Sequence, residues 1–274
     1  MNLSRYFGIA RSLALYYGVP LRMRRMRALY TGLVPAGGLC FDIGAHVGSR
    51  LRCFRSMGAR VVALEPQPDF AAILRRLYGR DQGVTILELA AGAEPGEARL
   101  LASTRTPTVT SLNPQWVAEI SNTSGFEHVA WEPGPTVPLT TLDALVQAHG
   151  MPDFIKIDVE GLEPAVLAGL SQAVPALSFE YLPAMRDLAV ACIDRLAALG
   201  EYRYNWSTGE SSRFGSPTWV TPEAARSWLR GLDAGAGSGD LYARLESSRV
   251  ARSSHVQAAG PSALMTRIQS TAKQ

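Results

Sequence analysis

Between residues 39 and 89 the sequence changes its hydrophobic period again and again, and this alternation limits the fold more than any other feature. Leu39-Cys40-Phe41 reads as a short buried strand running into Asp42. Val47, Leu51, Phe54 and Met57 then recur at helical spacing. Arg60 to Leu64 is a second strand, ending at Glu65-Pro66, and Phe70, Ile73, Leu74 and Leu77 mark the next helix. Val84 to Leu89 is a third strand. The pattern resumes with a helix over Leu142 to Ala148, a strand over Asp153 to Ile157, a helix over Leu162 to Leu170 and a strand over Ala176 to Phe179. Ala184 to Leu199 is a helix with Leu188, Cys192, Leu196 and Leu199 on one face, and Tyr202 to Trp206 and Leu241 to Leu245 read as closing strands. Strands alternating with helices predict an α/β fold, a doubly wound and mostly parallel sheet with helices on both faces. Such sheets bind ligands beyond the carboxyl ends of their strands, where the strand order reverses.

The chain has 274 residues, 47% of them hydrophobic and 19% charged, enough to bury a full core. No run of about 18 apolar residues appears, so no membrane-spanning helix is expected. No apolar stretch with a cleavage site follows Met1 to Ala10, so a secretion signal is not expected either. Cys40, Cys53 and Cys192 are too few and too scattered for a disulfide framework or a zinc site, and a reducing cytoplasm is the expected setting.

The formal net charge is 27 − 24 = +3. Six arginines, Arg5, Arg11, Arg22, Arg24, Arg25 and Arg27, precede the first acid, Asp42. The body of the chain is therefore net acidic, and no nucleic-acid partner is expected. Residues 1–35 read as a basic, amphipathic helical segment, with Val19, Met23, Met26, Tyr30 and Leu33 as its apolar stripe. Residues 36–246 form the main domain. Within it, 103–138 breaks the alternation as a polar insertion or lid holding Trp116, Phe126, His128 and Trp131. Gly231 to Asp240 is a glycine-rich connector, and 247–274 reads as a weakly ordered tail. A homo-oligomer is compatible with all of this.

The run Phe41-Asp42-Ile43-Gly44-Ala45-His46-Val47-Gly48 ends a strand in an acid, turns through glycine and opens a helix. Glycine lets backbone approach a ligand, and a helix start offers free N–H groups. Glu65, 21 residues after Gly44, stands where a carboxylate accepts the hydroxyls of a ribose. A dinucleotide turn would need G-x-G-x-x-G, and here Ala45-His46-Val47 replaces its second glycine. Asp42 would also repel a pyrophosphate. S-adenosylmethionine, with a sulfonium, an ammonium and a ribose, suits Asp42 and Glu65 better. A nicotinamide-dependent oxidoreductase is the alternative enzyme, and a non-catalytic binding domain of the same fold is the third reading.

Further motifs follow: Val137-Pro138-Leu139-Thr140-Thr141-Leu142-Asp143, then Asp153-Phe154-Ile155-Lys156-Ile157-Asp158-Val159-Glu160-Gly161-Leu162-Glu163, then Leu177-Ser178-Phe179-Glu180. With the glycine turn and Ala63-Leu64-Glu65-Pro66, these make residues 30–206 resemble the FkbM family of S-adenosylmethionine-dependent methyltransferases. The resemblance implies a Rossmann-like methyltransferase fold. It also implies methylation of a hydroxyl on a sugar, glycolipid or polyketide-type acceptor. Asp42, Gly44, Ala45, His46, Gly48, Glu65 and Pro66 are then the cofactor-side residues. The sequence departs from the family at His46, where asparagine is usual, and carries no acid at Ala90-Ala91-Gly92 near the adenine position.

Phe154, Lys156 and Asp158 alternate onto one face of a central strand, where unpaired charge is costly. Asp158, Glu160 and Glu180 are expected to gather at one mouth. Asp158, Glu160 and, in the insertion, His128 are the candidate bases, and Asp158 and Glu180 are candidate ligands for a divalent cation such as Mg. The structural alternative is a Lys156–Glu180 ion pair with Asp158 capping the next helix.

Overall fold

The computed structural model describes residues 20–103, 109–121, 123, 126 and 129–246. Helix α1 (Pro20–Tyr30) precedes an alternation of β1 (Leu39–Ile43), α2 (Ser49–Ser56), β2 (Arg60–Leu64), α3 (Pro68–Tyr78) and β3 (Val84–Leu87). Next come β4 (Ala90–Ala91), β5 (Gly96–Ser103), α4 (Pro114–Ile120) and β6 (Trp131–Thr140). Then follow α5 (Leu142–His149), β7 (Phe154–Ile157), α6 (Glu163–Ala168), β8 (Ala176–Tyr181) and α7 (Arg186–Leu199), the last entered through a 3-10 turn at Pro183–Met185. Strand β9 (Tyr202–Thr208), α8 (Pro222–Arg230) and β10 (Gly239–Leu245) complete the order.

Seven strands pair in the order β3-β2-β1-β7-β8-β10-β9. Pairing is parallel from β3 to β8, and β10 runs antiparallel to both of its neighbours. The order reverses between β1 and β7, which sets the ligand crevice there. Alternation along the strands sends Phe41, Val62, Ile155 and Phe179 into the core beneath α5 to α8. Cys40, Val61, Phe154 and Tyr242 go to the other face, beneath α1 and α2. Met26, Leu29 and Tyr30 bury the apolar side of α1 there, while Arg24, Arg25 and Arg27 stay exposed. No helix among the described residues is long and apolar enough to cross a membrane.

Five elements were not legible from periodicity: β4, β5, α4, β6 and α8. Strand β6 pairs antiparallel with β5 and parallel with β4 in a separate three-stranded sheet. Its sequence, Trp131 to Thr140, holds three prolines and reads as a loop. Helix α8 was also missed, although Thr221 accepts the Ala224 N–H as its N-cap.

Candidate active site

The crevice between β1 and β7 is one cavity, lined on one side by the glycine turn and on the other by carboxylates. Asp42 is buried at the end of β1, 1% exposed, and accepts a bond from the Leu51 backbone N–H. Burial pushes its pKa up to about 6, against the pull of Arg50 and Lys156. Its Oδ2 has no hydrogen-bond partner. Gly44, Ala45, His46 and Pro66 line the same cavity, and Gly48 instead starts α2 with φ 82°.

Gly44 answers to the fold before it answers to a ligand. Its φ is 85°, and a Cβ there would lie 1.9 Å from the carbonyl oxygen of Asp158. The close approach expected for a cofactor is made by the loop after β7. Glu65 is fixed in a similar way: Oε2 accepts from the His46 N–H at 2.7 Å and Oε1 from the Gln67 N–H at 2.8 Å. These bonds tie the ends of β1 and β2 together. The His46 ring tilts against Phe70 at 4.2 Å. Burial lowers its pKa to about 4, so the imidazole is neutral near pH 7.

Across the cavity, Asp158, Glu160 and Glu180 bring one oxygen each to within 4.8 Å of one another. Burial raises the pKa of Glu160 and Glu180 well above the usual range; beyond burial, Asp158 acts on both and Glu160 on Glu180. Glu160 holds a left-handed φ of 53°, a conformation that costs about 1–3 kcal/mol. The small sheet helps hold it: Ser111 Oγ donates to the Glu160 carbonyl at 2.7 Å, and Asn113 Nδ2 to the Gly161 carbonyl at 2.9 Å. His128 lies outside the described residues.

The ion pair expected between Lys156 and Glu180 does not form. Lys156, fully buried, donates to Asp240 Oδ1 at 2.6 Å and lies 3.3 Å from Asp158 Oδ2. Burial works against its charge, yet Asp158 and Asp240 hold its pKa above the ordinary lysine value. The reason is topological: β10 inserts beside β8 and carries Asp240 onto the face of Lys156. Asp158 does not cap the next helix either. That helix has no side-chain cap; Glu163, its first residue, instead braces the loop before it, accepting from the Val159 and Gly161 N–H groups at 3.1 Å each. Trp116, 1% exposed, packs on Gly161 and is closed to a sugar ring.

Several lining residues escaped the sequence reading. Leu89, Ala90, Leu100 and Leu112 make an apolar wall where the adenine acid is missing, with Gln67 and Thr110 at its edge. Arg50 and Glu210 line the cavity as well. An arginine in the first turn of α2, where the helix dipole disfavours cations, was the available signal for Arg50. Glu210 offered none.

A seven-stranded sheet of this order, with a glycine turn after β1 and an acid after β2, defines a Rossmann-like methyltransferase fold. The model of the methyltransferase FkbM domain matches residues 42–216, and the chain belongs to that family. It is 28% identical over 141 residues to the hexuronic acid methyltransferase AglP of Haloferax volcanii, a match covering 51% of this chain and 52% of that protein. The match thus spans about half the length of that relative. Among solved structures, a TehB-like SAM-dependent methyltransferase from Corynebacterium glutamicum is 11% identical, covers 88% of this chain and 96% of its own, and has a TM-score of 0.43. An O-methyltransferase from Bacillus cereus is 14% identical, with 87% and 90% covered and a TM-score of 0.40.

Proposed function

We propose that this chain transfers the methyl group of S-adenosylmethionine to a hydroxyl oxygen of a sugar, glycolipid or polyketide-type acceptor. The observation that carries the reading is that one cavity joins the glycine turn and Glu65 to the three carboxylates. The donor supplies an electrophilic methyl on a sulfonium. Glu65 holds the ribose hydroxyls, Asp42 attracts the ammonium, and the wall of Leu89, Ala90, Leu100 and Leu112 receives the adenine. Asp158 accepts the acceptor hydroxyl proton as the O–CH3 bond forms and the S–CH3 bond breaks. Glu160 and Glu180, whose protonated forms are favoured, orient that hydroxyl.

The same carboxylates favour a divalent cation as a second element of this reading. Three oxygens within 4.8 Å of one another are hard ligands of the type magnesium takes. Asp158 and Glu180 would hold it, and it would supply acidification of the acceptor hydroxyl. A uronic acid, the acceptor class in the name of the relative AglP, would bring a further carboxylate to this acidic mouth, and a cation would bridge it. The test is methyl transfer from labelled donor to glycans, uronic acids, glycolipids and small hydroxylated metabolites, with magnesium and with a chelator. Transfer to an oxygen is expected. Transfer to nitrogen or carbon alone, or NAD binding without donor binding, would refute the reading.

A further inference from the structure

Helix α1 lies on the sheet with one face buried and the other bare. Met26, Leu29 and Tyr30 face the core. At about 100° per residue, Leu21, Arg24 and Ala28 fall on the opposite side, with Arg25 and Arg27 flanking them. All of these are exposed, and Leu21, at 62%, is more exposed than any other large apolar side chain among the described residues. Charge on this face is of one sign. From residue 20 to residue 64 the only acid is Asp42, and it is buried. Glu210 is taken by Arg22 and Arg50, and Asp81 by Arg55. Among the described residues, no carboxylate pairs with Arg24, Arg25 or Arg27. Arg52 of α2, the helix packed beside α1, is exposed as well. Guanidinium groups held side by side repel one another, and an anionic partner relieves that repulsion.

We propose that the outer face of α1 docks on an anionic lipid bilayer. An interfacial helix combines arginines with apolar side chains that enter the headgroup boundary, and it lies along the membrane without crossing it. Arg24, Arg25 and Arg27 meet the lipid phosphates, and Leu21 enters between them. Residues 1–19, directly before α1, add Arg5 and Arg11, the aromatic residues Tyr6, Phe7, Tyr16 and Tyr17, and no acid, a composition suited to a membrane surface. A nucleic acid would draw the same arginines, but it offers no apolar layer to cover Leu21. A small phosphate ligand would need guanidinium groups that converge in a pocket, and these stand exposed along the outside of a helix. The place of α1 links the docked face to the candidate site. Arg22 bonds to Glu210, and Met26 Sδ lies 3.9 Å from Nη1 of Arg50; Glu210 and Arg50 both line the cavity. A bilayer against α1 is therefore adjacent to the cavity and brings near it the acceptors that the bilayer carries, the glycolipid among those proposed above. That consequence depends on the methyl-transfer reading, whereas the docking does not.

Cosedimentation of the full chain with vesicles of phosphatidylcholine, and of phosphatidylcholine mixed with phosphatidylglycerol, tests the docking. Binding to the anionic vesicles alone is expected, weakening as salt rises, because the attraction is screened. Arg24→Gln, Arg25→Gln and Arg27→Gln together should weaken it roughly 100-fold, since each arginine near an anionic surface contributes about fivefold. Arg25→Gln alone, with its fivefold loss, carries the test if the triple variant fails to fold. Leu21→Ser should weaken binding several-fold and keep its salt dependence. All four positions are exposed, so thermal midpoint and S-adenosylhomocysteine binding should stay as in the wild type. Equal binding to both kinds of vesicle, binding to neither, or full binding by the triple variant overturns the proposal. So does a chain that binds RNA or heparin and no vesicle. A chain that docks as expected and binds no S-adenosylhomocysteine upholds the docking and refutes the donor assignment, a separate result.

Discussion

On the glycine-turn side of the cavity, Glu65 accepts a backbone N–H at each carboxylate oxygen, and Gly44 presses against the loop that follows β7. On the carboxylate side, Asp158, Glu160 and Glu180 turn oxygens toward one another, and Glu180 Oε2 has no hydrogen-bond partner. The first side is finished by the fold. The second is held in repulsion by Ser111, Asn113 and a strained Glu160 backbone. Polar groups satisfied by backbone serve position, and groups held in mutual conflict are available for chemistry.

Substitutions can separate the two sides. Gly44→Ala should cost the most, on the order of 3 kcal/mol of stability, because the new methyl meets a backbone carbonyl and the left-handed φ is lost to strain. Thermal unfolding measures it, and an unchanged midpoint would place the glycine in binding alone. Asp158→Asn should leave folding and S-adenosylhomocysteine binding in place while turnover falls about 10²-fold, the scale of a lost positioned base. Full turnover would remove Asp158 from proton transfer, and rescue by added magnesium would make it a ligand.

Glu65→Ala should weaken S-adenosylhomocysteine by about 1–3 kcal/mol in calorimetry, since ribose hydroxyls lose their charged acceptor. A smaller effect follows from Asp42. Its pKa near 6 means that protons compete with the donor ammonium below that pH. Donor affinity should therefore fall about tenfold from pH 7 to pH 5, as the carboxylate is titrated away. His46, with its pKa near 4, stays neutral across that window. Asp42→Asn should flatten the profile, and a profile that keeps its slope would assign the titration elsewhere.

The parallel half of the fold was legible because each strand and helix there carries its own period, from Leu39 to Leu87 and again from Leu142 to Leu199. The glycine turn and Glu65 were legible for the same reason, since a local turn fixes both. The partner of Lys156 was not. Asp240 lies 84 residues away and reaches Lys156 only because β10 inserts between β8 and β9, and no local pattern encodes that insertion. The small sheet was hidden by composition, as Pro133, Pro135 and Pro138 mask strand β6. Arg50 drew no reading from the sequence, because the groups it meets come from α1 and the loop around Glu210, both outside its helix.

The insertion of β10 also sets a timetable. While a ribosome is still making the chain, β7 and β8 emerge long before residue 240, and Lys156 has no Asp240 to meet. Until the last strand arrives, the middle of the sheet carries a lysine without its nearest counter-charge, and the edges of β8 and β9 stand open. Completion of the sheet is thus a late, long-range event, of the kind that makes folding slow and favours closing the molecule in one final step.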